Sequence, residues 1–405
     1  MSSQFDHVPK AAADPSNDLA QRTKADKHPL KVDLGVGVYK NEQGGYYEIP
    51  AISKAKRVLE AAKVGHDYNP TIGIQQFIEG SKHLIFGDSS PVVIENRIAS
   101  VQTVGGTGAN HIAATFLSNH YKFADTEVYL GVPTWVNFQP LFEFSGFKVN
   151  SYPYFDKEKR CVDFDNILKA VTSAPSKSIF VLQPCAHNPT GADLTATQWQ
   201  ELADAMKVKD HFPFFDMAYA GLASGDVFTD ALPIRLFANQ GFELVVAQSF
   251  SKNTGLYAER VGACHIVVNS SSAAASVQDQ LRSYTRWEVS STPAYGARLC
   301  SYLMSDETLR EEWFKNIREM HDNCRHKRKI LYEQITKTYN VPGDWEHILH
   351  DQGLFSMLDL TPEEVLFINS RHHIYFPASG RINVAALNEE NIPRFAKAIH
   401  EAIAQ

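Results

Sequence analysis

The sequence predicts an α/β fold: a mostly parallel sheet flanked by helices, with a smaller domain folded against it. Three observations predict it. Short β-rich runs alternate with helical segments from about residue 45 to about residue 310. Past a first polar residue in two of them (Glu127, Ser178) those runs are apolar, as strands buried on both faces are. And 405 residues exceed what one simple core holds, so a large domain with a smaller partner is expected.

The chain opens on a polar stretch, residues 1–30, which contains Pro9, Pro15 and Pro29 and reads as an arm rather than a core element. The arm proper is placed at 1–14. β-Rich runs follow at Glu127–Leu130, Ser178–Leu182, Phe212–Phe215 and Leu244–Ala247, separated by helical segments such as 108–121 and 197–208. Residues 306–338 are one long charged stretch in which Leu309, Trp313, Ile317 and Met320 recur at three- and four-residue steps, which predicts a long helix. Pro342 and Gly343 follow it, and a mixed tail ends in a helix near 389–404. The expected division is a large domain over 46–315 and a small one assembled from 15–45 and 316–405.

Composition excludes several classes. Hydrophobic content of 44% and charged content of 21% fit a globular enzyme. A formal net charge of -7 argues against a nucleic-acid or membrane-surface binder. Cys161, Cys185, Cys264, Cys300 and Cys324 are far apart without metal-ligand spacing, so free thiols and no metal are expected. The first residues lack an apolar targeting core, and no apolar run approaches the ~20 residues that span a bilayer, so a cytoplasmic protein is expected.

Four segments carry chemistry. SFSKNTGLYAERVG (249–262) follows an apolar run, so it lies at the C-terminal end of a strand, where open α/β sheets bind ligands. Ser249, Ser251 and Arg260 can grip a phosphate there, and Lys252 is placed to attack an aldehyde. In FFDMAYAG (214–221), Asp216 can keep a pyridine nitrogen protonated and Tyr219 can donate to a phenolate oxygen. CAHNPTG (185–191) offers Asn188 for the same oxygen, and GGTGAN (105–110) opens a helix whose N-terminus favours phosphate. Singly, each has an ordinary explanation as a turn, a cap or a polar loop. Their occurrence together and in this order does not.

These residues resemble the aspartate aminotransferase family of fold-type-I pyridoxal-phosphate enzymes, in its eukaryote-like branch. The resemblance covers nearly the whole chain and includes LGVGVYKNEQG (34–44), HDYNPTIGIQQF (66–77), PTWVNFQP (133–140), TPAYGAR (292–298), DQGLFSM (351–357) and SGRINVAAL (379–387). It implies a seven-stranded-type central sheet and a pyridoxal 5'-phosphate cofactor. Lys252 matches the Schiff-base lysine and proton shuttle, Asp216 the partner of the pyridine nitrogen, and Tyr219 and Asn188 the phenolate donors. Trp135 resembles the plate against the ring face. Gly106, Thr107, Ser249, Ser251 and Arg260 resemble the phosphate cup, completed by Tyr68 reaching across from a neighbouring subunit. Arg381 matches the arginine for the substrate α-carboxylate, with Gly37 closing beside it. Arg286 matches an arginine that the partner subunit donates to the distal carboxylate. A homodimer with shared active sites is therefore implied.

The implied reaction is reversible amino transfer between L-aspartate and 2-oxoglutarate, giving oxaloacetate and L-glutamate. Its rivals are a same-fold enzyme with an aromatic amino donor, a β-carbon lyase, and a non-catalytic protein that kept the fold; intact Lys252 and Asp216 oppose the last. Five positions depart from the family pattern. Gly105 replaces a phosphate-binding serine, and its missing hydroxyl is expected to weaken cofactor binding by roughly 1–2 kcal/mol. Phe138 and Gln183 stand where histidines support the aspartate, and Ser16 and Asn17 replace an apolar pair at the substrate entrance.

Overall fold

The computed structural model describes residues 2–12 and 14–405; within the expected arm, Met1 and Ala13 lie outside the described residues. Among the described residues a seven-stranded sheet organises the chain. Its strands are β1 (Ile98–Val104), β2 (Val128–Val132), β3 (Val149–Pro153), β4 (Ile179–Leu182), β5 (Phe212–Met217), β6 (Leu244–Ser249) and β7 (Val261–Val267). Their order across the sheet is β1-β7-β6-β5-β4-β2-β3, parallel except for β7, which runs antiparallel to both neighbours. The runs at 178–182, 212–215 and 244–247 all became strands, because every residue of β4, β5 and β6 is buried.

Helices cover both faces. On one face lies α2 (Gly105–His120), with α3 (Ser271–Glu288) beside it. On the other lie helices over 50–61, 75–86, 196–208 and 295–305. The charged stretch at 306–338 forms α4 (Glu307–Glu333), 27 residues long, and closes with a π-helical turn over Gln334–Thr338. Its first turns bury Trp313, Ile317, Met320 and Cys324 in the large core, whereas Leu331 and Ile335 sit in a separate cluster with Leu34, Trp345, Ile348, Phe376, Ile382 and Phe395. That cluster joins residues near 32–34 to the C-terminal tail: Val32 and Asp33 pair in parallel with Ile374 and Tyr375.

One expectation needs correction. The polar stretch read as an arm contains a helix, α1 (Pro15–Ala25). The Asp14 side chain accepts the Ser16 N–H at 2.9 Å, and Pro15 stands in the first turn, where its missing N–H costs nothing. Leu19 and Thr23 bury one narrow stripe, too thin to register against the surrounding charge. Ser16 and Asn17 occupy the exposed first turn of α1 and do not line the central cavity.

Candidate active site

The topology brings the four motifs to one edge. The parallel strands β4, β5 and β6 end there, and so does β1; antiparallel β7 begins there. Asp216 lies near the end of β5, Ser249 ends β6 with Lys252 just beyond, Arg260 precedes β7, and Gly105 and Gly106 open α2 directly after β1. A cavity of about 210 Å³ lies between them. It is lined by Gly37, Gly106, Thr107, Trp135, Asn188, Asp216, Tyr219, Ser249, Ser251, Lys252 and Arg260, and so by eleven of the residues singled out from the sequence. A larger cavity, about 870 Å³, opens beside Trp199, Pro233 and His321. Its buried carboxylates are already engaged: Asp193 accepts the N–H groups of Ala186 and His187, and Asp230 those of Gly221, Ala223 and Ser224.

At one end of the smaller cavity is a cup that suits a phosphate. Arg260 donates from Nη1 to Ser251 Oγ at 3.1 Å and to the Tyr257 carbonyl at 3.0 Å, and the Ser251 N–H donates to Ser249 Oγ at 3.2 Å. The N-terminus of α2 has no side-chain cap; the Gly105 N–H donates to the Arg260 carbonyl at 2.9 Å, and the N–H groups of Gly106 and Thr107 after it are those placed to meet an anion. Gly105 has φ +68°, and a Cβ there would stand 2.4 Å from Arg260 Nη2. The guanidinium thus fills the space a serine side chain would need.

Deeper in, Asp216 is buried and Lys252 is half-buried. Burial pushes the Asp216 carboxyl up to about 6, against the opposing pull of the Asn110 amide and the Lys252 charge. Burial lowers the Lys252 amine; Asp216 opposes that fall and Arg260 adds to it. Lys252 Nζ lies 5.1 Å from the centre of the Tyr219 ring, whose hydroxyl is raised by burial. Arg381 does not line the cavity but is bonded to a residue that does: it donates from Nη1 to Asn188 Oδ1 at 3.3 Å and from Nη2 to the Gly35 carbonyl, while its guanidinium lies 4.4 Å over the Phe355 ring. Its Nε is buried without a partner among the described residues.

Phe355 belongs to a segment that couples the site to α4. Buried Arg328 of α4 donates to the carbonyls of Gly353 and Phe355, each at 2.9 Å, and to Ser356 Oγ. The Gln352 N–H then bonds the Gly191 carbonyl at 2.7 Å, and Gly191 has φ +70° with the Phe355 carbonyl 2.5 Å from where a Cβ would be. Glycine is required there by both conformation and contact.

Besides Arg381, two expected residues do not line the cavity. Tyr68 is 89% exposed, and Arg286, in the last turn of α3, is exposed and donates to Ser290 Oγ at 2.6 Å. Gln183 does not reach Asp216: its amide clamps Asn188, donating to that residue's carbonyl at 3.1 Å and accepting its N–H at 2.9 Å. Phe138 is buried edge-on against Trp135, 5.1 Å between ring centres. Sequence reasoning missed Asn110 and Tyr257, which also line the cavity. Both lie inside quoted motifs, but nothing local marks a polar side chain as facing a residue across the sheet.

An aldehyde-seeking lysine, a buried carboxylate for a ring nitrogen and a phosphate cup fit pyridoxal phosphate, and the class of protein they define is a pyridoxal-phosphate-dependent transaminase. Comparison then gives the family. The model of the aminotransferase class I and II family matches residues 29–399, and the chain belongs to that family. A cytoplasmic aspartate aminotransferase of Oryza sativa subsp. japonica is 39% identical over 99% of this chain and 98% of its own. The structure of the aspartate aminotransferase from Saccharomyces cerevisiae cytoplasm superposes with a TM-score of 0.96 at 37% identity, covering 99% of this chain and 98% of the other. An aromatic-amino-acid aminotransferase from Burkholderia pseudomallei, covalently bound to pyridoxal phosphate, gives 0.95 at 36% identity, covering 99% and 100%.

Proposed function

We propose that the protein is an aspartate aminotransferase, moving an amino group reversibly between L-aspartate and 2-oxoglutarate to give oxaloacetate and L-glutamate. The observation that carries the reading is one cavity shared by Lys252, Asp216 and Asn188, with Arg381 bonded to Asn188 beside it. The rice and yeast relatives bear that activity in their names.

In this reading Ser249, Ser251, Arg260 and the N–H groups of Gly106 and Thr107 hold the phosphate. Trp135 covers one ring face, and Tyr219 and Asn188 donate to the phenolate oxygen. Asp216 holds the ring nitrogen protonated. Bound there, pyridoxal phosphate supplies an electron sink for the substrate α-carbon. Lys252 Nζ holds the cofactor, and its lowered basicity leaves the freed amine able to take the α-proton and return it. Arg381 grips the α-carboxylate with its fork and, with Gly37, orients the substrate.

The second carboxylate needs a second cation, and Arg286 supplies it from a partner subunit. Support comes from exposure: Tyr68, Trp287 and Tyr295 are 89%, 71% and 45% exposed, aromatic surface that a partner subunit would cover. We therefore assign a homodimer with shared sites, a large domain over 46–315, and a small domain over 15–45 and 316–405 that closes on the substrate and excludes water. The cytoplasmic relatives support a cytoplasmic location.

A panel of amino acids assayed against 2-oxoglutarate tests the substrate. An arginine cannot shed its charge near neutral pH, and burying it opposite an apolar side chain leaves it unpaired. Aspartate should show the highest kcat/KM, and Arg286→Ala should lower that value by at least about a hundredfold, ~2.7 kcal/mol. A preference for phenylalanine, with indifference to Arg286→Ala, sinks the aspartate reading and leaves the transaminase standing.

A further inference from the structure

We propose that Asn110 is a positioning residue that holds the Asp216 carboxylate ionised and aimed at the cofactor's ring nitrogen, an inference that rests on the pyridoxal-phosphate reading above. Asn110 lies in α2, 1% exposed. Its Nδ2 donates to Asp216 Oδ1 at 3.0 Å and to the Gly106 carbonyl at 3.0 Å. The orientation of the amide follows from those partners. A main-chain carbonyl can only accept, so the nitrogen must face Gly106, and its second hydrogen is then directed at the carboxylate.

Packing does not explain an amide here. Asn110 Oδ1 is buried with no partner among the described residues, a desolvation cost that an apolar side chain there would not carry. The benefit must lie on the nitrogen side. Among the described residues no other side chain hydrogen-bonds Asp216. Phe138 has no donor, and Gln183 has both ends of its amide engaged with Asn188. The titratable groups that act on Asp216 or feel its charge are Lys252 from the loop after β6, Tyr219 just past the end of β5, and Cys185 from the loop after β4. Of these only Lys252 favours the anion, and it cannot do so constantly if it must trade its charge during turnover. The Asn110 amide is neutral and fixed, so it favours the anion at every stage. Its tie to the Gly106 carbonyl also links the pyridine end of the cavity to the phosphate end through one side chain.

The test uses holoenzyme loaded with pyridoxal phosphate carrying nitrogen-15 in the ring, so that the nitrogen resonance reports its protonation directly. In the wild type the signal should be that of a protonated ring nitrogen through neutral pH. In Asn110→Leu it should move toward the unprotonated position, and the cofactor dissociation constant should rise about ten- to a hundredfold, the effect expected for one hydrogen bond to a charged group. Asn110→Ala, which also lacks the donor but cannot crowd the cavity, should do the same. Urea unfolding of each apoprotein checks that the fold persists. A protonated signal and wild-type affinity in a folded Asn110→Leu or Asn110→Ala enzyme would overturn the role of Asn110 and leave the cofactor reading intact. A wild-type protein that takes up no pyridoxal phosphate overturns both.

Discussion

The absence of a Cβ at Gly105 decides the shape of the anion cup. At Gly105 the left-handed φ and the guanidinium of Arg260 together exclude a side chain, so the absent hydroxyl is not a simple loss of one donor. Gly105→Ser should weaken pyridoxal-phosphate binding rather than strengthen it. The new Cβ must displace the phosphate-facing fork, and a non-glycine residue in that conformation costs roughly 1–2 kcal/mol. Titration of the apoprotein with cofactor checks this, and a tighter complex would show that Arg260 yields without penalty. At this scale the sequence was a good guide to residue type and a poor one to residue contact. Lys252, Asp216, Ser251 and Arg260 were legible because their chemistry is rare at strand ends. Asn110 was not, because its partner is 106 positions away and lies on another strand. Gln183, which stands where a histidine would support Asp216, is turned instead to the Asn188 turn, a contact that no spacing encodes.

Elements were read more securely than contacts. Continuous apolar runs gave β4, β5 and β6, and three- and four-residue steps gave α4, since burial on both faces and burial on one face leave different periods. Helix α1 escaped because two buried side chains in 11 residues are too few to make a period visible. Less visible still is a polar stitch across the sheet: His265 of β7 meets Ser100 of β1 at 2.8 Å and Gln248 of β6 at 3.0 Å. Burial pushes this imidazole down from 6.5 to about 3. Below pH 6.5 the unfolded chain therefore binds a proton that the folded imidazole refuses, so stability is lost as the pH falls toward 3. The slope is ~1.4 kcal/mol per pH unit for one full proton. Urea unfolding at a series of pH values should show His265→Gln flattening that decline by up to this slope, whatever it does at neutral pH; an unchanged slope would mean the proton goes elsewhere.

At the scale of the whole molecule two partnerships matter, one proposed and one visible. In the proposed homodimer the exposed Arg286 and Tyr68 would each serve the partner's site, so neither chain would complete a site alone. Lys252→Ala and Arg286→Ala proteins, each nearly inactive, should recover activity when mixed into verified heterodimers, because one of the two sites then has both residues intact. Recovery should approach half the wild-type rate, and its absence would place Arg286 in its own subunit's site or in none. Within a subunit the partnership is α4, whose early turns belong to the large core and whose end belongs to the small one. That sharing constrains how such genes exchange parts. A crossover within the codons for Glu307–Glu333 joins half a helix shaped by one ancestor's large core to half shaped by another's small core, and one that falls after Arg328 also parts that residue from the segment whose carbonyls it holds. Viable chimeras of relatives should therefore have their junctions outside this helix, and inheritance should treat its 27 residues as a single indivisible block.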